Sequence, residues 1–347
     1  MHEIIYPPKL VPGDRVAILS PSAGLPEIFP APYELGLRRL AKDFGLVPVE
    51  YATTRRMGAS PQDRAADVNA AFADPSVKAV FSSIGGDDQI RVLPHLDREL
   101  IRANPKPFFG YSDNTNLHLF LWNLGIVTYY GGSVMVQLGW PQAMDPETEG
   151  SLRAALFTSG PRPVTAPDRI GAAIGDWADP ATLAREPDME PAAPWTWHNA
   201  TSKVEGPTWG GNLEVLSWLL MAGAEIRPPE AYEGCVLLLE TSEEMPSATE
   251  VYRVLRSMGE RGLLERFGAL LMGRPQAWFF DRQFTAEQRA AYRKEQQEAV
   301  CRALAEYAPD LMAVFDVDFG HTNPQVVLPF GGAVTVDGPA RRITATY

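Results

Sequence analysis

The sequence predicts an α/β protein, with a mostly parallel sheet under helices in its first part and a mixed α/β, strand-rich second part. Three observations carry this. Through the first 140 residues, short apolar runs alternate with stretches of helical spacing. That is the pattern of βαβ crossovers and of strands buried on both faces. Gly, Ser and Pro close those runs at "SPSAG", "SIGGDD" and "GYSDN", and ligands sit beyond the carboxyl ends of such strands. A chain of 347 residues is also long enough for two domains.

The elements follow in order. "RVAILSP" (15–21) is an apolar run ending in Ser-Pro-Ser, a buried strand and a turn. "APYELGLRRLAKDFG" (31–45) sets Leu35, Leu37, Leu40 and Phe44 at helical spacing, with Gly45 as its stop. "LVPVEY" is a second strand. Ser60 and Pro61 open a capped helix in "SPQDRAADVNAAFADPSV". "KAVFSSIGG" (78–86) is the third strand, and a helical stretch follows it to about Arg102. "KPFFGY" is the fourth strand, "NLHLFLWNLG" an amphipathic helix, and "IVTYYGG" (126–132) the fifth strand. Residues 1–140 thus read as a flavodoxin-like parallel sheet domain.

Residues 141–205 differ. "PQAMDPETEGSLRAALFTSG" holds one helix; the stretch after it is rich in Pro, Asp and Ala and carries Trp177, Trp195 and Trp197. It reads as a linker with a long excursion containing β-hairpins, and loops of this length are often functional. Residues 206–347 form the C-terminal part. "EGPTWGGNLEVLSWLLMAG" gives a Gly-Gly turn and a helix from about Asn212. "GCVLLLETSEE" (234–244) is a buried strand ending in acids, "SATEVYRVLRSMGERGLLERF" a helix, "GALLMGRP" a strand and "TAEQRAAYRKEQQEAVCRALAEYA" a long helix. "LMAVFDVDFGHTNPQVVLPFGG" is a strand and then a loop; "AVTVDGPARRITATY" is a terminal hairpin turning at Asp337–Gly338.

Bulk composition removes several function classes. A net charge of −12 with no Lys/Arg-rich block argues against a nucleic-acid polymer as partner. Cys235 and Cys301 sit in no C-x-x-C or C-x-x-H pattern, so no metal site is expected and both read as buried free thiols of a reducing compartment. The first residues lack a basic region followed by an apolar stretch, so no signal peptide is expected. No apolar run approaches the ~18 residues that a membrane span needs. The expectation is a cytoplasmic protein.

Chemistry concentrates at three loops. Ser112 ends one strand, Glu240 ends another, and His321 follows a third in a turn punctuated by Gly and Pro. Nucleophile, base and orienting acid drawn from three loops is the logic of a serine hydrolase. Each has a plainer reading. Ser112 can be a helix N-cap, and "GYSDN" departs from G-x-S-x-G at Asn114. Glu240 can be a solvated acid at a strand exit, and His321 an ordinary loop histidine. The glycines of "SIGGDD" let a ligand approach the backbone. There the N–H groups of Gly86 and Asp113 could form an oxyanion hole, or the stretch is simply a tight turn. A phosphate loop is disfavoured by its two acids and missing Lys.

With these pieces assembled, the chain resembles the LD-carboxypeptidase family of serine peptidases, which includes muramoyl-tetrapeptide carboxypeptidases and microcin C self-immunity peptidases. The likeness runs in order through "PPKLVPGDRVAILSPSAG", "AVFSSIGG", "FFGYSDNTNLHL", "GPTWGGNLEVL", "VLLLETSEE" and "DFGHTNP". It implies Ser112 as nucleophile, Glu240 and His321 as its charge relay, and Gly86 with Asp113 as oxyanion donors. It also implies a serine-bearing N-terminal domain, a C-terminal domain carrying Glu and His, a homodimer, and neither metal nor cofactor. The family divides between a branch that removes the terminal D-residue of murein tetrapeptide and one that hydrolyses peptidyl or aminoacyl nucleotides. The 161–200 excursion and the wording of the motifs look more like the second branch. There Trp177 would stack on the nucleobase, unless it only packs its loop; Trp195 and Trp197 are weaker candidates. Gly85, Trp177 and Asn212 are the candidate substrate-binding residues. The rivals are a non-catalytic peptide or nucleotide binder using the same crevice and a nucleotide-dependent α/β enzyme.

Overall fold

Strands β1 (Arg15–Leu19), β2 (Val47–Glu50), β3 (Val77–Ser82), β4 (Phe108–Gly110) and β5 (Thr128–Tyr130) lie parallel in the order β2–β1–β3–β4–β5. This is the flavodoxin order, with its switch point between β1 and β3. The computed structural model describes residues 3–171 and 175–347; His2 lies outside the described residues. Helices α1 (Pro30–Lys42), α2 (Pro61–Ala73), α3 (Arg98–Ala103) and α4 (Thr115–Asn123) lie along the crossovers. The cap read at Ser60 is present, its hydroxyl accepting the Asp63 N–H at 3.1 Å. Register across β3, β4 and β5 is marked by stacked rings: Phe81 on Phe109 at 4.5 Å and Phe109 on Tyr129 at 5.1 Å. Aromatic cross-strand pairs of this kind stabilise a sheet.

Helix α4 is not the amphipathic helix that its sequence suggests. All its residues except Trp122 are buried, because its outer face is covered by elements from the second half of the chain.

The remaining chain gives α5 (Pro146–Phe157), β6 (Pro161–Val164), β7 (Arg169–Ile170), β8 (Glu190–Pro191), β9 (Thr196–His198), β10 (Lys203–Asn212), α6 (Leu213–Ala222) and β11 (Val236–Glu240). Then come α7 (Ala248–Glu260), β12 (Ala269–Gly273), β13 (Trp278–Phe279), β14 (Arg282–Gln283), α8 (Ala286–Tyr307), β15 (Met312–Val317), β16 (Leu328–Phe330), β17 (Ala333–Asp337) and β18 (Arg342–Thr346). The second sheet runs β6–β18–β17–β10–β11–β12–β15–β9. Its centre, β10 to β15, is parallel and its margins antiparallel. Within the excursion, β7 and β8 form one short antiparallel pair.

Three further sequence readings are revised. The Gly-Gly of "TWGGN" is not a turn but the end of strand β10, at φ +128° and +117°. A Cβ on Gly210 would lie 2.0 Å from the Leu238 carbonyl, and one on Gly211 would lie 2.6 Å from Thr115 Oγ1. The glycines therefore permit β11 and α4 to approach β10 closely. The loop after β15 contains β16, which adds to the first sheet antiparallel to β5. The terminal hairpin turns over residues 338–341, with Asp337 opposite Arg342 and its carboxylate accepting the Ala340 N–H. Among the described residues, no helix is long and apolar enough to cross a membrane.

Candidate active site

Ser112 follows β4 after Tyr111 and has φ +63°, a left-handed conformation that costs a residue with a Cβ about 1–3 kcal/mol. The surroundings enforce it. Gly85 opposes it so closely that an added Cβ would lie 3.1 Å from Ser112 Cβ and 3.3 Å from its Oγ. Asn114, where G-x-S-x-G would have glycine, is fully buried. Its amide donates to the carbonyls of Tyr111 (3.0 Å) and Ile84 (3.3 Å), and its Oδ1 accepts from Gln89 (2.9 Å). Asn114 therefore ties the elbow to the β3 loop. Ser112 is not a cap but the first residue of a short 3-10 turn, Ser112–Asn114, whose N-cap is Tyr111; its Oγ lies 3.1 Å from His321 Nε2.

Glu240 ends β11 with no exposed surface. One carboxylate oxygen lies 2.5 Å from His321 Nδ1; the other accepts the Tyr130 hydroxyl at 2.7 Å. That hydroxyl also accepts the Ser112 N–H at 3.3 Å. A closed circuit runs from Ser112 through His321, Glu240 and Tyr130 back to the Ser112 backbone. Two glycines make room for it: a Cβ on Gly320 would lie 2.6 Å from Glu240 Oε2, and one on Gly273 would lie 2.7 Å from Glu240 Cβ. Tyr111 packs edge-on to the His321 ring at 4.9 Å. Burial works against a charge on His321, but the carboxylates of Glu240, then Glu243 and Glu214, outweigh it and raise its pKa to about 9. Burial, with the Glu240 carboxylate second, drives the Tyr130 hydroxyl well above its ordinary pKa, so Tyr130 is a neutral donor.

Of the candidate oxyanion donors, Asp113 adjoins Ser112, and its N–H lies 3.5 Å from where a Cβ on Gly85 would stand. The Gly85 carbonyl accepts the Ala23 N–H at 3.1 Å. Among the described residues, neither the Gly86 nor the Asp113 N–H has an acceptor. The Asp113 side chain braces the start of α4 instead, accepting from Gln89 N–H (3.0 Å) and the Asn116 amide (2.8 Å). Burial raises its pKa to about 6. Asn212 pairs with Glu240 in the β10–β11 register and caps α6 through the Val215 N–H at 2.9 Å. Its amide nitrogen is buried without a partner.

The tryptophans lie apart from this circuit. Trp177 is half-buried and meets Phe29 edge-on at 5.9 Å, beside the loop after β1. Trp195 donates its indole N–H to Asp318 at 2.7 Å. Trp197 lies in β9 opposite Val314. His118 is wholly buried between Thr128 Oγ1 (2.7 Å) and the Gly110 carbonyl (2.8 Å), and burial lowers its pKa to about 4. It is a neutral core residue. Among the described residues, no group of three or more His, Cys, Asp or Glu could hold a metal ion.

Sequence reasoning missed Tyr130 and undervalued Glu243, whose Oε2 lies 3.3 Å from His321 Nε2. It also missed Asp318, which pairs with the buried Arg274 at 2.9 Å three residues before His321. A tyrosine in an apolar run is a weak signal that its hydroxyl needs a partner. Nothing local distinguishes Glu243 from its neighbour Glu244.

Comparison with known proteins follows the same two halves. A model of the LD-carboxypeptidase N-terminal domain matches residues 16–131, and one of the LD-carboxypeptidase C-terminal domain matches residues 205–336. A putative carboxypeptidase of Streptomyces coelicolor is 29% identical over 360 residues, 98% of this chain and 98% of that protein. The microcin C7 self-immunity protein of Escherichia coli is 26% identical over 292 residues, 82% of this chain and 78% of that protein. Murein tetrapeptide carboxypeptidase of Pseudomonas aeruginosa is 26% identical over 336 residues, 93% of each. In fold, the chain matches the microcin C7 self-immunity protein in complex with aspartyl sulfamoyl adenosine with a TM-score of 0.84 at 23% identity, over 99% of this chain and 98% of that one. Matched by both domain models across most of its length, the chain belongs to the LD-carboxypeptidase family and is a serine-type carboxypeptidase hydrolase.

Proposed function

We propose that the protein hydrolyses the amide of peptidyl or aminoacyl nucleotides through Ser112, His321 and Glu240. The observation that carries the reading is the line of contacts from Ser112 Oγ to His321 Nε2 at 3.1 Å and from Nδ1 to Glu240 at 2.5 Å. Ser112 Oγ attacks the scissile carbonyl and its proton passes to Nε2. The oxyanion meets the free N–H groups of Gly86 and Asp113. His321 returns the proton to the leaving nitrogen, and water, deprotonated by the same imidazole, releases the acyl group. Glu240 holds the Nδ1–H tautomer throughout.

The nucleotide substrate is supported by the likeness to a microcin C7 self-immunity protein, whose structure is known with aspartyl sulfamoyl adenosine. On this reading Trp177 turns from Phe29 to stack on a base, Asn212 offers its unpartnered amide, and Gly85 borders the acyl group. The enzyme works as a homodimer, its serine on the 1–140 domain and its Glu and His on the 206–347 domain. The murein tetrapeptide reading rests on a relative of equal identity, with D-Ala as leaving group.

One experiment separates these readings. The purified protein is incubated with a phosphoramidate-linked aminoacyl nucleotide and with murein tetrapeptide, and products are read by mass spectrometry. Release of the aminoacyl group supports the first reading; release of D-Ala alone replaces it with the second. Ser112→Ala and His321→Ala each lower turnover by at least about 10³-fold with the fold intact. Wild-type rates in Ser112→Ala would remove the mechanism, and stoichiometric binding without cleavage would leave a binder.

A further inference from the structure

Two acceptors compete for one nitrogen. His321 Nε2 lies 3.1 Å from Ser112 Oγ and 3.3 Å from Glu243 Oε2, while Nδ1 lies 2.5 Å from Glu240. With its proton on Nδ1, a neutral imidazole presents a lone pair at Nε2. A carboxylate oxygen facing that lone pair is repelled; facing an N–H it gains a charge-assisted hydrogen bond. The resting geometry therefore suits an imidazolium held between two carboxylates, and that form cannot take the Ser112 proton.

We propose that Glu243 is a positioning residue for the proton on His321: it clamps Nε2–H in the resting enzyme and must withdraw before Ser112 can be activated. The inference rests on the catalytic reading of Ser112, His321 and Glu240. On withdrawal the Nε2 proton passes to bulk water, and the freed lone pair accepts the hydrogen of Ser112 Oγ.

The surroundings give Glu243 a fixed base and a free end. Just before it, Ser242 is anchored by its N–H and its hydroxyl to Glu214 Oε1, at 2.9 and 2.7 Å. Just after it, Arg282 holds the carbonyls of Glu244 and Met245, each at 3.1 Å. The Glu243 side chain is 42% exposed, against 0% for Glu240, so one carboxylate can swing into solvent and the other cannot. Other groups act on His321 as well: Glu240 from β11, Glu214 from α6, Glu244 from the same loop, and the Tyr111 ring edge from the elbow. Of these carboxylates, Glu243 alone reaches Nε2.

The test is Glu243→Gln, read in two ways. The His321 titration is followed by NMR on ¹⁵N-histidine-labelled protein without substrate, and the pH profile of kcat/KM is measured on whichever substrate is cleaved. Removing a carboxylate next to an imidazolium lowers the imidazole pKa, here by about one unit. The acidic limb of kcat/KM should move down with it, raising kcat/KM about tenfold on that limb while the alkaline plateau is unchanged. An unmoved His321 titration overturns the proposal. So does a lowered titration with an unmoved acidic limb, since Glu243 would then act on charge without restraining catalysis. The NMR arm needs no turnover, so an active Ser112→Ala would sink the catalytic reading while leaving the clamp on His321 to be judged separately.

Discussion

At the scale of single residues, Tyr130 joins the two halves of the candidate site. Its hydroxyl donates to Glu240 and accepts from the Ser112 N–H, so one buried group sets the carboxylate's rotamer and steadies a backbone held at positive φ. Tyr130→Phe removes the hydroxyl and little else. A buried carboxylate oxygen left without its donor costs about 1–3 kcal/mol. The expected outcome is a lower melting temperature together with a ten- to hundredfold fall in kcat at nearly constant KM, from steady-state kinetics and calorimetry. Unchanged kcat would reduce Tyr130 to a core residue. Ser112, Glu240 and His321 were legible because each sits at a strand exit marked by local turn chemistry. Tyr130 was not, since its partner lies 110 positions away and a contact of that separation leaves no periodic trace. Whether Ser112 is a nucleophile or a cap is an ambiguity of the local sequence. In the structure the cap position falls to Tyr111 and the Ser112 hydroxyl faces His321, while Asn114 supplies the ties that a second glycine could not.

At the scale of elements, strand–helix alternation recovered the first sheet because buried parallel strands write themselves as continuous apolar runs. The same logic misjudged α4 and the end of β10. Both errors have one origin, the packing of α4 against β10, which no local pattern reveals. Gly211 stands at that contact, at φ +117° with Thr115 Oγ1 2.6 Å from where a Cβ would be. Gly211→Ala should cost about 2–4 kcal/mol from strain and overpacking combined, seen as a lower urea midpoint with an unchanged m-value. A variant as stable as the parent would mean that β10 and α4 can separate without penalty. The same contact carries the Asn212 N–H to Thr115 Oγ1 at 3.0 Å, so the damage should extend to the neighbouring end of β11, where Glu240 resides.

At the scale of the whole molecule, the second half of the chain completes the first sheet. Strand β16, from late in the chain, pairs with β5 of the first sheet. The buried outer face of α4 depends on elements that come after residue 200. A fragment of residues 1–140 would expose both the β5 edge and an apolar helix, a combination that favours aggregation. Expressed alone it should be insoluble or bind a hydrophobic dye, whereas co-expression with residues 141–347 should restore a soluble complex. A soluble, cooperatively melting fragment would show that the second half is dispensable for folding.

The separation between Ser112 and His321 is 209 positions along the chain, and that distance has a temporal meaning. During synthesis the serine leaves the ribosome long before the histidine that would arm it exists. At the rate of ~5–20 residues per second at which chains are made, the delay is on the order of ten seconds or more. Throughout that interval the elbow is an inert hydroxyl in a cell full of peptide bonds. With Ser112 and His321 as catalytic partners, the chemistry would switch on only when the loop after β15 has been made and has closed on the elbow.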